Sequence, residues 1–162
     1  MGENIIIAEN LIILEQLLVS LFLGSLIGLE REISRKPAGF RTYALVSLGA
    51  TIFTIISEVL AFRYQGIPGV SFDPSRIISQ IVVGVGFIGA GVIIYQKSKV
   101  RGITTATTLW ITAAIGTAVG LRLYSLATIT ACLVIIVLII FQIFENRIEK
   151  KIEKTDEFIH KN

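Results

Sequence analysis

Residues 73–95, Asp73-Pro74-Ser75-Arg76-Ile77-Ile78-Ser79-Gln80-Ile81-Val82-Val83-Gly84-Val85-Gly86-Phe87-Ile88-Gly89-Ala90-Gly91-Val92-Ile93-Ile94-Tyr95, read as a membrane-crossing helix with two unlike faces. At about 100° per residue, Arg76, Ser79, Gln80, Val83, Gly84, Gly86, Phe87, Ala90 and Gly91 fall within one arc. Ile77, Ile78, Ile81, Val82, Val85, Ile88 and Val92 lie opposite, and only Gly89 strays. The aliphatic face suits lipid. The other suits protein, because glycines let helix backbones approach closely in a bilayer and an arginine and a glutamine on that side need partners. The stretch predicts a compact helical membrane protein with this helix at its centre and Gly84, Gly86 and Gly91 as packing positions.

The rest of the chain agrees with that class. Of 162 residues, 53% are hydrophobic and only 17% charged, too little polar surface to cover a soluble globule of this size. Five apolar stretches stand out: Leu11 to Leu29, Thr42 to Phe62, Arg76 to Tyr95, Ile103 to Leu121 and Leu123 to Phe144. Each has about 20 residues, enough to cross a hydrocarbon core of roughly 30 Å at 1.5 Å per residue. The last two abut, and as one helix they would be about twice the needed length, so a tight turn is expected near Gly120-Leu121-Arg122, where a flexible glycine precedes the only charge. The expected fold is all-α, with five transmembrane helices in residues 1–144 and a short charged tail in 145–162. The spacing of Ile148, Ile152 and Ile159 lets that tail either continue the last helix or lie on the membrane surface.

Orientation follows from the cations. Arg31, Arg35, Lys36 and Arg41 lie between spans one and two, Lys97, Lys99 and Arg101 between spans three and four, and Arg147, Lys150, Lys151, Lys154 and Lys161 in the tail. Only Arg63, Arg76 and Arg122 remain for the alternate loops, so the positive-inside rule places the N-terminus outside and the tail in the cytoplasm. This distribution accounts for the net charge of +3 and argues against nucleic-acid binding, since the basic residues are dispersed among membrane loops. The N-terminus lacks the basic region of a cleavable signal, and Ile6 stands where a myristoylation motif has Ser or Thr. Cys132, the only cysteine, sits in the most uniformly apolar span and reads as a packing residue or a small lipid-facing one.

The spans carry little chemistry. Ser20, Gly24 and Gly28 in the first, and Thr112, Gly116 and Gly120 in the fourth, are ridges of small residues four apart that favour close helix contact. Span four is rich in threonine, whose hydroxyls can bond their own helix backbone or line a hydrophilic path; the former is the simpler reading. Charges form two layers. In the inner one, Glu30 and Arg41 each sit at the helix end that the dipole disfavours, a misplacement relieved if the two pair; Glu30 can instead join Arg101 and Thr104 at the start of span four, or both residues are ordinary solvated charges. Arg31, Glu32, Arg35 and Lys36 are expected in solvent.

The outer layer holds Glu15, Glu58, Asp73, Arg76 and Gln80. Asp73 before Pro74 looks like an N-cap. Three carboxylates near one surface could attract hydrated Mg2+, but their spacing does not require convergence, so metal ligands stay unassigned and no other cofactor is implied. The lone His160 is in the tail, and there is no nucleophile with a basic partner, no phosphate-binding glycine loop and no zinc-ligand spacing, so the chain does not read as an enzyme.

Four motifs in order carry a resemblance: Gly28-Leu29-Glu30-Arg31-Glu32; Lys36-Pro37-Ala38-Gly39-Phe40-Arg41-Thr42; Asp73-Pro74-Ser75-Arg76 with Gln80 and Gly84-Val85-Gly86-Phe87-Ile88-Gly89-Ala90-Gly91; and Val100-Arg101-Gly102-Ile103-Thr104-Thr105-Ala106 with Thr108-Leu109-Trp110. Over roughly residues 20 to 120 the chain resembles the membrane domain of the MgtC/SapB family. The resemblance implies a bacterial or archaeal inner-membrane protein concerned with adaptation to low magnesium. In pathogenic members it also implies survival inside macrophages, with inhibition of the membrane ATP synthase as the suggested mechanism, and the family carries the label of magnesium transporter as well. Longer members end in a cytoplasmic domain of the small regulatory ACT type, which this chain is expected to lack, so the resemblance does not carry over ligand sensing or the virulence role. Motif matching draws interest to Glu30, Arg41, Asp73, Arg76, Gln80 and Arg101 without giving any of them a chemical role. The expected partners are membrane lipid, further copies of the chain in a homo-oligomer such as a dimer, and another membrane protein, for which the ATP synthase and a magnesium transporter are the candidates. The first functional expectation is a non-enzymatic membrane regulator; the alternative is a transporter or channel for magnesium or another small ion.

Overall fold

The computed structural model describes residues 2–69, 71–96 and 99–159; Lys97, His160 and Lys161, which figure above as loop or tail residues, lie outside them. Helices α1 (Gly2–Ile33), α2 (Phe40–Tyr64), α3 (Ser75–Val92), α4 (Ile103–Gly120) and α5 (Tyr124–Ile159) each contain a stretch long and apolar enough to cross a membrane. Between α3 and α4 stand two short strands, β1 (Ile94–Gln96) and β2 (Lys99–Arg101), paired antiparallel with Tyr95 opposite Val100. The third span therefore stops at Val92 rather than Tyr95. Where β2 ends, Gly102 turns the chain into α4 at φ 92°, and a Cβ there would press on the Val92 backbone, so this position needs glycine for both conformation and space.

Helix α4 is the centre. It touches all four other helices and buries ten of its eighteen residues, Leu109, Thr112, Ile115 and Val119 almost completely. Helix α3, expected at the centre, lies at the periphery, with only Val85 and Gly89 buried. The physical reason is the composition of α4: helices associate in a bilayer through small residues and hydrogen bonds, because lipid is as apolar as leucine, and α4 offers glycine, alanine and threonine all round. A Cβ on Gly24 of α1 would lie 2.7 Å from the Tyr43 carbonyl of α2, one on Gly28 lies 2.8 Å from Phe40 Cα, and one on Gly116 of α4 would press on the Ser47 backbone. Gly120 is a fourth such position, 2.6 Å from Thr54 Cβ.

Two helix ends are closed by the same device. At the end of α1, Lys36 N–H donates to the Arg31 carbonyl and Arg35 N–H to the Glu32 carbonyl, both at 3.0 Å, with Arg35 left-handed at φ 52°. After α4, Leu123 N–H donates to the Ala118 carbonyl at 2.8 Å and Arg122 N–H to the Val119 carbonyl at 2.9 Å, with Arg122 at φ 60°. This pattern of bonds satisfies the last free carbonyls of a helix. The turn before α5 thus falls where expected, but Arg122 supplies the left-handed residue while Gly120 serves packing. Beyond its apolar part, Tyr124–Phe144, helix α5 continues without a break to Ile159. That outcome decides the reading of the tail in favour of a helical extension.

Candidate functional site

The polar groups of the interior form a column between α1, α2 and α4. At one end Tyr43 Oη lies 2.6 Å from Thr108 Oγ1. Farther along, Thr51 Oγ1 lies 2.7 Å from Ser20 Oγ and 2.8 Å from the Gly116 carbonyl, while Ser20 Oγ lies 2.9 Å from Ser47 Oγ. Thr54 donates to the Ala50 carbonyl at 2.8 Å and Ser57 to the Pro74 carbonyl at 2.7 Å. From Tyr43 to Ser57 the column runs about 21 Å along α2, most of the hydrocarbon thickness. Its hydroxyls are spaced along α2 at intervals of three or four, which places them on one stripe, and that stripe faces α1 through Ser20 and α4 through Thr108 and Gly116.

The column is closed. Among the described residues, every buried side-chain nitrogen or oxygen has a hydrogen-bond partner. Within α4, Thr108 donates to the Thr104 carbonyl at 2.6 Å and Thr112 to the Thr108 carbonyl at 2.7 Å, as the simpler reading of that span expected. At the far end, away from the hairpin, the buried amide of Gln16 donates to two carbonyls in the last turn of α4, that of Gly120 at 2.7 Å and that of Val119 at 3.2 Å, the latter also accepting the Arg122 N–H. Beyond Gln16 an open recess of about 610 Å³ is lined by Glu9, Glu58, Arg63 and Arg122. Gln16 and the α2 stripe are the functional-site candidates that motif reading passed over; a lone amide in an apolar span and hydroxyls at helical spacing were the available signals.

At the hairpin end the charges are arranged differently from expectation. Glu30 pairs with Arg31, its neighbour in sequence, through Arg31 Nε and through Nη2 at 2.6 Å. Arg31, expected in solvent, is 1% exposed. Ser34 Oγ lies 2.8 Å from Glu30 Oε1 and 2.6 Å from Gln142 Oε1, so the pair is tied to α5; with the Gln142 amide turned over, its NH2 donates to Ser34 while Ser34 donates to Glu30. Arg41 and Arg101 are exposed and, among the described residues, form no ion pair. Glu32 is not a free solvated charge either: its carboxylate accepts from Phe40 N–H at 2.9 Å, a negative group at the positive end of α2. The absence of a side chain on Gly39 makes room for it.

At the far end Asp73 caps α3 as read from the sequence, its Oδ1 accepting the Ser75 N–H at 2.9 Å and hydroxyl at 2.6 Å. Those two bonds, helped by the Arg76 guanidinium, hold its carboxyl below the usual carboxylate range. Among the described residues no three carboxylate, histidine or cysteine side chains come together, so Glu15, Glu58 and Asp73 do not converge.

The faces of α3 are reversed within the chain. Val85, Ile81 and Val92 pack on the core, and Gly89, the one glycine off the expected arc, meets Ala106 of α4 at ordinary contact distance. A Cβ at Gly84, Gly86 or Gly91 would meet nothing within 4 Å. Phe87 is 84% exposed, and the Arg76 side chain 86% exposed, with Asp73 Oδ2 3.9 Å from its Nε. The helix thus turns its small and polar face outward.

A bundle of five apolar helices, four of them packed around a hydrogen-bonded fifth, defines a polytopic membrane protein. The chain belongs to the MgtC family, whose profile matches residues 17–147. It is 39% identical over 125 residues to an Escherichia coli K12 protein named "Putative magnesium transporter YhiD", covering 77% of this chain and 58% of that one. It is 42% identical over 115 residues to a Brucella abortus protein named MgtC, covering 71% of this chain and 45% of the relative. An uncharacterized Haemophilus influenzae protein is 34% identical over 148 residues, 90% of this chain and 62% of its own length. The chain therefore spans about half to three fifths of the length of these relatives. No solved structure matches it.

Proposed function

We propose that this protein is a non-enzymatic component of magnesium homeostasis in the plasma membrane of a bacterium or archaeon, oriented with its N-terminus outside, and that it regulates another membrane protein by helix contact. The outward face of α3 carries this reading: Gly86, Ala90 and Gly91 offer a neighbouring helix close approach, and among the described residues all three are exposed, with nothing within 4 Å of a Cβ placed on either glycine. The name of the Escherichia coli relative supports the link to magnesium. A magnesium transporter or the ATP synthase is the kind of partner in question.

The second reading, a route for magnesium or another small ion, has in its favour the recess that leads to Gln16 and the hydroxyl column behind it. Against it, the column's hydroxyls are committed to backbone carbonyls and to one another, so a hydrated ion would have to break a close-packed interface to pass. The two readings separate experimentally. In a strain lacking the gene and starved of magnesium, Gly86→Leu or Gly91→Leu should fail to restore growth although the protein reaches the membrane folded, while Thr54→Val should restore it; pure protein in liposomes should pass no magnesium. Saturable, protein-dependent uptake that Thr51→Val abolishes would replace regulation by transport.

A further inference from the structure

A trough of about 760 Å³ opens sideways between α2 and α3. Gly49 and Gly84 line it and leave it wide, since a Cβ on either would meet nothing within 4 Å. Every other lining group is aliphatic or aromatic except two, Arg76 and Gln80, one helical turn apart at the far end of α3. No carboxylate lines the trough. Arg76 has Asp73 as its sole ion-pair partner among the described residues, at the long distance given above, and Asp73 is already occupied by Ser75.

Length identifies the occupant. From Arg76 to Ile88 the trough runs twelve residues, about 18 Å, which is one leaflet's half of a hydrocarbon core of roughly 30 Å plus its interfacial margin. A transmembrane helix would need a trough of the full thickness. Arg76 is the second residue of α3, at the end of its membrane-length stretch where a lipid phosphate would come within reach, and Gln80 follows about 6 Å along the helix. A second copy of this chain fits less well: two parallel copies related by a twofold axis and meeting along α3 would bring Arg76 against Arg76 at the same depth.

We infer that the trough between α2 and α3 is a binding site for one anionic glycerophospholipid, its phosphate held by Arg76 and Gln80 and an acyl chain lying over Gly84. A planar guanidinium fork suits phosphate, and burial of the chain in the trough adds apolar contact that bulk lipid also offers, so the selectivity comes from the headgroup. The test is native mass spectrometry of the detergent-purified protein mixed with phosphatidylglycerol and phosphatidylcholine of the same chains. Wild type should retain one phosphatidylglycerol per chain with about tenfold preference, equivalent to one charge-assisted hydrogen bond. Arg76→Gln should bring the preference close to parity, and Gly84→Leu should remove the bound lipid, both with unchanged thermal unfolding in lipid-free detergent. Retention of phosphatidylglycerol by Arg76→Gln at the wild-type ratio, or no selective retention by wild type, overturns the assignment. So does a lipid-free dimer that Gly84→Leu dissociates, which would give the trough to a second copy.

Discussion

Arg31 shows what one charge can demand of its surroundings. Buried beside its sequence neighbour Glu30, it has a partner that cannot drift away, and Ser34, just past the end of α1, bonds that partner and is itself tied to Gln142 of α5. Removing one member of a buried ion pair strands the other, typically at a cost of about 3–5 kcal/mol, whereas replacing both by apolar residues of similar size can be close to neutral. Glu30→Gln and Arg31→Met should therefore each lower stability by about that amount, and the double variant by much less than the sum; unfolding titrations of the four proteins in detergent would show it. Strict additivity would mean that the two charges do not depend on each other. Arg41, by contrast, should tolerate alanine within about 0.5 kcal/mol of wild type, as an exposed residue without an ion-pair partner. The sequence marked Glu30 as a carboxylate at the helix end that the dipole disfavours, but left open whether it pairs, and with Arg41, with the start of span four or with water. Adjacent residues point about 100° apart on a helix, so an adjacent pair is seldom considered, and only the closure of α1 by the left-handed Arg35, which returns the chain over this end, encloses both side chains.

Among the helices, α4 takes the central place that the pattern of α3 suggests for α3. The division of α3 into two faces was legible, and so were its cap and its glycine arc; which face looks inward was not. An aliphatic face serves equally against lipid and against a protein core, so periodicity sets the line between the faces but leaves the direction open. The packing of Val85 and Val92 on the core resolves it. The five spans were legible from apolar length to within a few residues, except that α3 yields its last three to the hairpin. Glycine replacements test the reversed facing. Gly116→Leu forces a side chain into the Ser47 backbone and should cost about 3 kcal/mol or more, or prevent folding. Gly84→Leu enters open space in a helix and should leave the stability of the isolated chain unchanged or slightly raised. Helicity followed through a detergent denaturation distinguishes the two, and equal losses would place Gly84 inside the bundle.

For the molecule as a whole, alternation of five crossing helices would put alternate loops on one side, and the distribution of lysine and arginine predicts that this side is the cytoplasm. The contacts agree with that alternation: Tyr43 near the beginning of α2 meets Thr108 in the first half of α4, and Gln16, in the first half of the apolar stretch Glu9–Ile33, meets the end of α4. In a Cys132-free protein, Ser71→Cys should react with an impermeant thiol reagent from outside the cell and Lys99→Cys only after the membrane is opened. Reaction of both in intact cells would contradict the crossing of the membrane by α3, which separates the two positions.

The central position of α4 also has a consequence for how the protein is made. Ribosomes deliver α1, α2 and α3 to the bilayer before the helix around which they pack exists, and α4 is the least hydropathic of the five spans. During that interval the stripe on α2 has no α4 carbonyls to bond, but Thr51 can use the Ser47 carbonyl of its own helix, 3.1 Å away in the finished protein, and Thr54 the Ala50 carbonyl. These local bonds act as placeholders while translation proceeds. When α4 arrives, Thr51 extends its bonding to Gly116, and a helix that would be poorly retained by lipid alone is received into a slot its predecessors have kept open.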